Sequence, residues 1–229
     1  MKLVLTNDDG IDEPGMACLA EACSAFGEVV VVAPAGPRSA ISHQVTEADP
    51  IHVEERRAGW FAVDGTPADC TRLAVRELCP DADWVLSGVN AGANLGVDVY
   101  VSGTVAAARE AAIHGVRALA LSQYFRRFGQ VDWAASQRRA ELVLGEVLGE
   151  EHRPGEYWSA NFPDPPAGQG SDEIVHCELD AGPGSIAYQR SGPHYAWAAD
   201  YHERPRRPGL DVDVCFGGRI ALTRLRLAG

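Results

Sequence analysis

Two aspartates stand side by side, Asp8 and Asp9, one residue past the short apolar run 2–6. Unit charges about 4 Å apart repel by roughly 1 to 4 kcal/mol between the dielectrics of water and of a protein surface, a cost that a bound cation removes. Capping of the next helix is the competing reading of the pair. In Pro34-Ala35-Gly36-Pro37-Arg38-Ser39 a guanidinium and a hydroxyl follow. Ser39 can ligate or cap, and Arg38 can fork onto a phosphate or stay solvated. The run Ser87-Gly88-Val89-Asn90-Ala91-Gly92-Ala93-Asn94-Leu95-Gly96 is the most specific signal in the chain. Its glycines permit close backbone approach and left-handed turns, so Asn90 and Asn94 can face one ligand. It is not a dinucleotide loop, because the G-x-G-x-x-G spacing is missing. Ser102-Gly103-Thr104 then opens an Ala-rich segment. There hydroxyls, unpaired N–H groups and the positive end of a helix dipole can meet an anion, an ordinary cap being the alternative.

Each polar stretch ends an apolar run, and the alternation of runs says what must hold them. Lys2 to Thr6 and Glu28 to Ala33 have the Val/Leu density of strands covered on both faces. Between them Met16, Leu19, Ala20, Cys23 and Phe26 keep helical spacing until Gly27. Trp84 to Leu86 and Ala118 to Leu121 repeat the strand pattern around a helix over Thr104 to His114, Asp132 to Leu148 is an amphipathic helix, and Tyr157 to Ala160 is a fifth strand. The pattern predicts a doubly wound, Rossmann-like α/β fold with a mostly parallel sheet. In such a sheet ligands bind beyond the carboxyl ends of the strands. Ile51 to Val53 and Phe61 to Val63 predict a small hairpin. Past Asn161, prolines 163, 165, 166, 183, 193, 205 and 208 predict strands and loops. Val212, Val214 and Phe216 alternate with Asp211, Asp213 and Cys215, then Gly217-Gly218 precedes Ile220 and Leu222, which predicts a C-terminal β-hairpin arm. Residues 1–180 would form the catalytic core and 181–229 an arm for oligomerisation.

With 229 residues and 46% hydrophobic content, a sizeable core is available. The charge of -12 argues against nucleic acid as a partner. No apolar run reaches membrane-spanning length and Met1 leads straight into a strand, so the expectation is a cytoplasmic protein with no membrane partner. Six cysteines without a C-x-x-C pair read as buried free thiols. The seven histidines are scattered without metal spacing, and His43, four residues past Ser39, is the one within reach of the site as a proton donor. Tyr195, Trp197 and Tyr201 are expected to pack in a core, stacking on a base being the alternative.

The residues resemble a family as well as a fold. T-N-D-D-G-I with Gly15 beyond it, Ser39 after the second strand, Gly65-Thr66-Pro67 with Asp69-Cys70, and the S-G-V-N-A-G-A-N-L-G to S-G-T-V-A-A-A run stand in the order and approximate spacing of the SurE survival-protein family. These are divalent-metal-dependent phosphatases of nucleoside monophosphates, and the likeness covers most of the chain. It implies that Asp8, Asp9, Ser39 and Asn90 hold one magnesium or manganese ion per subunit, and that Asn94, Ser102, Gly103 and Thr104 surround the phosphate. Asp8, Asp9 and Asn94 would be the catalytic set. Oxygen donors of this kind independently suit a hard cation. The resemblance also implies an arm that reaches a neighbouring subunit, giving a homodimer or homotetramer. The chain departs from the family at Ala40, where Gly usually follows the Ser, at Val101, where an aromatic residue or His commonly precedes S-G-T, and over Gly218 to Arg224, where G-Y-V-S-x-T-P usually stands. The expected activity is hydrolysis of nucleoside 5'- or 3'-monophosphates. Sugar phosphates or short polyphosphates are alternative substrates, and a non-catalytic nucleotide sensor is the alternative class. An aspartyl-phosphate enzyme is disfavoured because the carboxylates are adjacent, not spaced as D-x-D.

Overall fold

The computed structural model describes residues 1–127, 131–164, 171–184 and 186–227; the helix-breaking role expected of Pro165 and Pro166 lies outside them. The first unit is β1 (Lys2–Thr6), α1 (Pro14–Cys23) and β2 (Glu28–Pro34). A hairpin follows, β3 (Val53–Arg57) and β4 (Trp60–Val63), then α2 (Pro67–Leu73) with a π turn over Ala74–Leu78. β5 (Trp84–Ala91), a 3-10 turn (Gly96–Tyr100), α3 (Gly103–Ile113) and β6 (Arg117–Gln123) form the second unit, extended by α4 (Trp133–Val147) and β7 (Glu156–Phe162). The tail supplies β8 (Ile174–His176), β9 (Tyr188–Ser191), β10 (His194–Trp197), α5 (Asp211–Phe216) and β11 (Ile220–Arg226).

Nine strands make one sheet in the order β3-β4-β2-β1-β5-β6-β7-β11-β8, and the run from β4 to β7 is parallel throughout. Because successive side chains leave a strand on opposite faces, each parallel strand feeds two cores. Leu3, Leu5, Leu119 and Leu121 meet Met16 and Leu19 of α1 and Val143 and Leu144 of α4 on one face. Val4, Val85, Ala118 and Ala120 meet Cys70 of α2 and Val105, Ala108 and Ala111 of α3 on the other. β1 has β2 on one side and β5 on the other, so the order reverses there and a crevice opens above their carboxyl ends.

The doubly wound expectation holds, and the departures have local causes. β3 begins at Val53 and carries exposed Glu54, Glu55, Arg56 and Arg57, charges that suit an edge strand. The hairpin expected over 211–222 is not there. Residues 211–216 form α5, since Val212, Cys215 and Phe216 also satisfy helical spacing, and Gly217 ends the helix. Ile220 and Leu222 do lie in a strand, but β11 pairs antiparallel with β7 inside the main sheet. The C-terminal hairpin that exists is β9-β10, turning at Gly192. Its Tyr195 and Trp197 are 62% and 60% exposed, so the expected aromatic core packing does not occur. All six cysteines are free. Among the described residues no helix is long and apolar enough to cross a membrane.

Candidate active site

The loop after β1 is shaped by Asn7, which donates its amide to the Gly10 carbonyl at 2.7 Å and accepts from the Gly10 N–H at 3.1 Å. Gly10 has φ +121°, and a Cβ there would stand 3.3 Å from the Gly36 backbone, so the loops after β1 and β2 pass each other closely. The Arg38 N–H donates to the Asp8 carbonyl at 2.7 Å across that junction. Neither aspartate caps α1, whose N-cap is Glu13.

Asp8 turns to the start of α3. The Thr104 hydroxyl donates to its Oδ1, and a Cβ on Gly103 would come within 2.9 Å of both Asp8 Cβ and Oδ2. Only glycine lets the carboxylate lie against the first helical turn, where the dipole and free N–H groups favour an anion. Ser102 caps that turn, its Oγ accepting from the Val105 N–H at 3.1 Å. Asp9 faces the crevice and accepts from the Ala91 N–H at 3.2 Å. Burial pushes the Asp8 carboxyl up to about 6; bonds from Thr104 oppose this and the charge on Asp9 adds to it. Asp9 is also raised, again mainly by burial. The donors named here are neutral, so the pair keeps its mutual repulsion.

Ser39 and Asp9 line one cleft of about 360 Å³ with Glu13, Ala91, Phe125 and Trp133. Asn90 spends its amide on the Gly92 carbonyl at 2.7 Å, which leaves Oδ1 as its remaining acceptor. Asn94 is buried, donating to Ser122 Oγ at 2.8 Å while its backbone N–H and carbonyl are clamped by the Asn161 side chain at 2.8 and 3.0 Å. Thus Asp8, Gly103 and Thr104 are in contact, and Asp9 and Ser39 share the cleft. The Asn94 amide is turned towards β6. Arg38 is paired with Asp64 at 2.6 Å. His43 is bonded to Glu110 at 2.6 Å.

Sequence reasoning missed Asn161, Ser122, Phe125 and Trp133. The two polar residues have a usable signal, since each is the second-to-last residue of a parallel strand. Among the described residues no group of three or more His, Cys, Asp or Glu is placed to hold a metal. The oxygen donors expected from the sequence are instead two carboxylates plus the neutral oxygens of Ser39 and Asn90. Two carboxylates with few other protein ligands suit a magnesium-like ion that keeps several waters. The unrelieved Asp8–Asp9 pair fits such a cation.

The family model described as survival protein SurE matches residues 3–179. A Synechocystis sp. protein is 44% identical over 227 residues, covering 99% of this chain and 100% of its own. The proteins named 5'-nucleotidase SurE from Geobacter sp. and Geobacter sulfurreducens are 42% and 38% identical, each over 99% of this chain and over 93% and 88% of theirs. The crystal structure of the SurE protein from Aquifex aeolicus superposes with a TM-score of 0.87 at 29% identity, covering 99% of this chain and 94% of that one.

Proposed function

The chain belongs to the SurE survival-protein family, and from that premise we infer that it is a phosphoric monoester hydrolase, a 5'-nucleotidase that releases phosphate from nucleoside monophosphates. One observation carries the reading: adjacent carboxylates, Asp8 buried and Asp9 half-buried, set in the crevice between β1 and β5, with Asp8 pressed on the first turn of α3 through Gly103. That arrangement asks for a cation and offers an anion site beside it. We assign Asp8, Asp9, Ser39 and Asn90 to one magnesium or manganese ion, and Asn94, Ser102, Gly103 and Thr104 to the phosphate. When bound, the ion supplies Lewis acidity towards the phosphoryl oxygens and a water of lowered pKa.

The chain's own groups supply the rest. N–H groups at the first turn of α3 orient the phosphoryl oxygens and favour the charge they gain. The Thr104 hydroxyl fixes the Asp8 carboxylate, and the Ala91 N–H fixes that of Asp9. Asn94, clamped by Asn161 and Ser122, is held in place before substrate arrives. Phe125 and Trp133 narrow the cleft and reduce its water.

Residues 1–180 hold all these groups, while 181–229 carry the β9-β10 hairpin and return β11 to the sheet. Ile186, Tyr188, Tyr195 and Trp197 are 59% to 73% exposed on or beside the hairpin. Such a surface supports assembly of two or four copies. Free thiols throughout support the cytoplasm as its compartment.

The deciding experiment is phosphate release from a panel of nucleoside monophosphates, sugar phosphates and short polyphosphates, with Mg2+, with Mn2+ and with chelator. Metal-dependent release from nucleotides, abolished by chelator, is expected. Nucleotide binding without release would instead identify a sensor.

A further inference from the structure

Residues 35–52, between β2 and β3, contain no strand or helix, yet they carry Ser39. A segment of this length holds one shape only where it is pinned. Ser42 is fixed just before α3, its N–H on the Val101 carbonyl at 3.2 Å and its hydroxyl on the Tyr100 carbonyl at 2.9 Å. Next to it His43 reaches α3 itself. Arg109 Nε–H donates to His43 Nδ1 at 2.9 Å, which leaves Nε2–H to donate to Glu110 Oε2 at 2.6 Å. The other oxygen of Glu110 accepts from Arg72 of α2 at 2.5 Å. Glu110 is only 1% exposed, so an unpaired charge there would be costly. Burial disfavours its ionised form, but the bonds from His43 and Arg72 outweigh burial and hold its carboxyl down to about 2.

Resting on the metal assignment above, we propose that His43 is a positioning residue: by clasping the buried Glu110 of α3 it fixes the Ser39 loop over the aspartate pair, and so sets the affinity of the site for its divalent cation. The arrangement links the two halves of the site. Asp8 rests on the first turn of α3, and the Ser39 loop is clasped two turns further along the same helix, so α3 is the common ruler for both. His43 touches neither phosphate nor cation. Its loss should therefore act on metal affinity and leave the chemistry intact once metal saturates.

Direct titration of Mn2+ by calorimetry tests this on the full chain, beside kcat against Mn2+ concentration. His43→Ala should bind Mn2+ at least tenfold more weakly, and its kcat should return to near the wild-type value at saturating Mn2+. His43→Gln, which keeps an N–H for Glu110, should recover most of the affinity. Glu110 Oε1 is also paired with His114 at 3.1 Å; Arg72→Ala removes a clasp on Glu110 that does not come from the loop and should change Mn2+ affinity less than twofold. A separate measurement does not depend on any variant folding: Mn2+ added to the wild type should slow hydrogen exchange at the amides of residues 39–43. Unchanged affinity in His43→Ala, an equal loss in Arg72→Ala, or no slowing of exchange overturns the proposal, as does a wild type that binds no Mn2+. A wild type that binds Mn2+ and shows the expected losses, yet releases no phosphate from any nucleotide, overturns the catalytic reading alone.

Discussion

Burial makes Asp8 resist the charge that its proposed task requires. Its carboxyl titrates near 6 in the folded protein against about 3.9 when unfolded, so folding favours the protonated form. In the metal-free protein the penalty is absent below about pH 4, grows as pH rises towards 6, and is complete above it, at roughly 3 kcal/mol. Asp8→Asn should therefore raise the melting temperature in chelator at pH 7.5, with the gain shrinking towards pH 4. Added Mn2+ should stabilise the wild type and not the variant. A variant less stable than the wild type in chelator at pH 7.5 contradicts the idea of an unrelieved buried charge. Such a trade of stability for function is common at active sites. Adjacent like charges after an apolar strand made this pair legible in the sequence. The partners of Asn94 were not, because Ser122 and Asn161 are 28 and 67 residues away in the chain and only the sheet brings them together.

Among elements, the parallel strands and their helices were legible because long Val/Leu-rich and Ala-rich runs admit one period each. Six residues do not, and Asp211–Phe216 fits both strand and helix spacing. What settles it is Asp211, whose buried carboxylate accepts from the Gly96 and Asp180 N–H groups at 2.6 and 2.7 Å and pins the helix start in place. The Ser39 loop shows another limit of local reading. Ala40, at the position where the SurE family usually has Gly, adopts φ +56°. An L-residue there costs about 1 kcal/mol or more, whereas glycine removes that strain and adds about 0.4 to 1 kcal/mol of unfolded-state entropy. Ala40→Gly should thus leave stability unchanged or raise it by up to about 1 kcal/mol in urea unfolding. Ala107→Gly, in the buried middle of α3, should cost at least about 1 kcal/mol. Equal losses at both positions would show that residue 40 is unstrained.

At the scale of the molecule, the hairpin is the part that one copy leaves without cover. All eight residues of β9 and β10 are exposed, and Tyr188 meets Trp197 edge to face with ring centres 5.6 Å apart. Two strands alone are marginal in water. The Ala198 N–H donates to the Ala187 carbonyl at 2.9 Å, so the base of the hairpin is closed and residues 188–197 can be replaced by a short Gly-Ser link. Light scattering should find the full chain oligomeric and the excised chain smaller, with its melting temperature little changed. A monomeric full chain, or an excised one of unchanged size, refutes the hairpin as the assembly element. Its existence near the C-terminus was foreseeable from Pro-broken composition; its position was not, because the strong alternation sits over residues that the core claims for α5 and β11.

The place of β11 also has a meaning in time. Every residue assigned to the site has left the ribosome well before Ile220, yet the neighbour that β7 requires, β11, comes later in the chain than all of them. Until then β7, buried along its whole length in the finished protein, presents an open edge able to pair with another chain. A fragment ending at residue 180 should therefore aggregate during expression although it contains all of the proposed catalytic groups, and a synthetic peptide spanning 205–229 added during refolding should rescue it. Recovery of a soluble, fully active fragment without the peptide would count against this. If the expectation holds, β11 acts as a checkpoint on synthesis: a message cut short before it yields no partly made phosphatase loose in the cell.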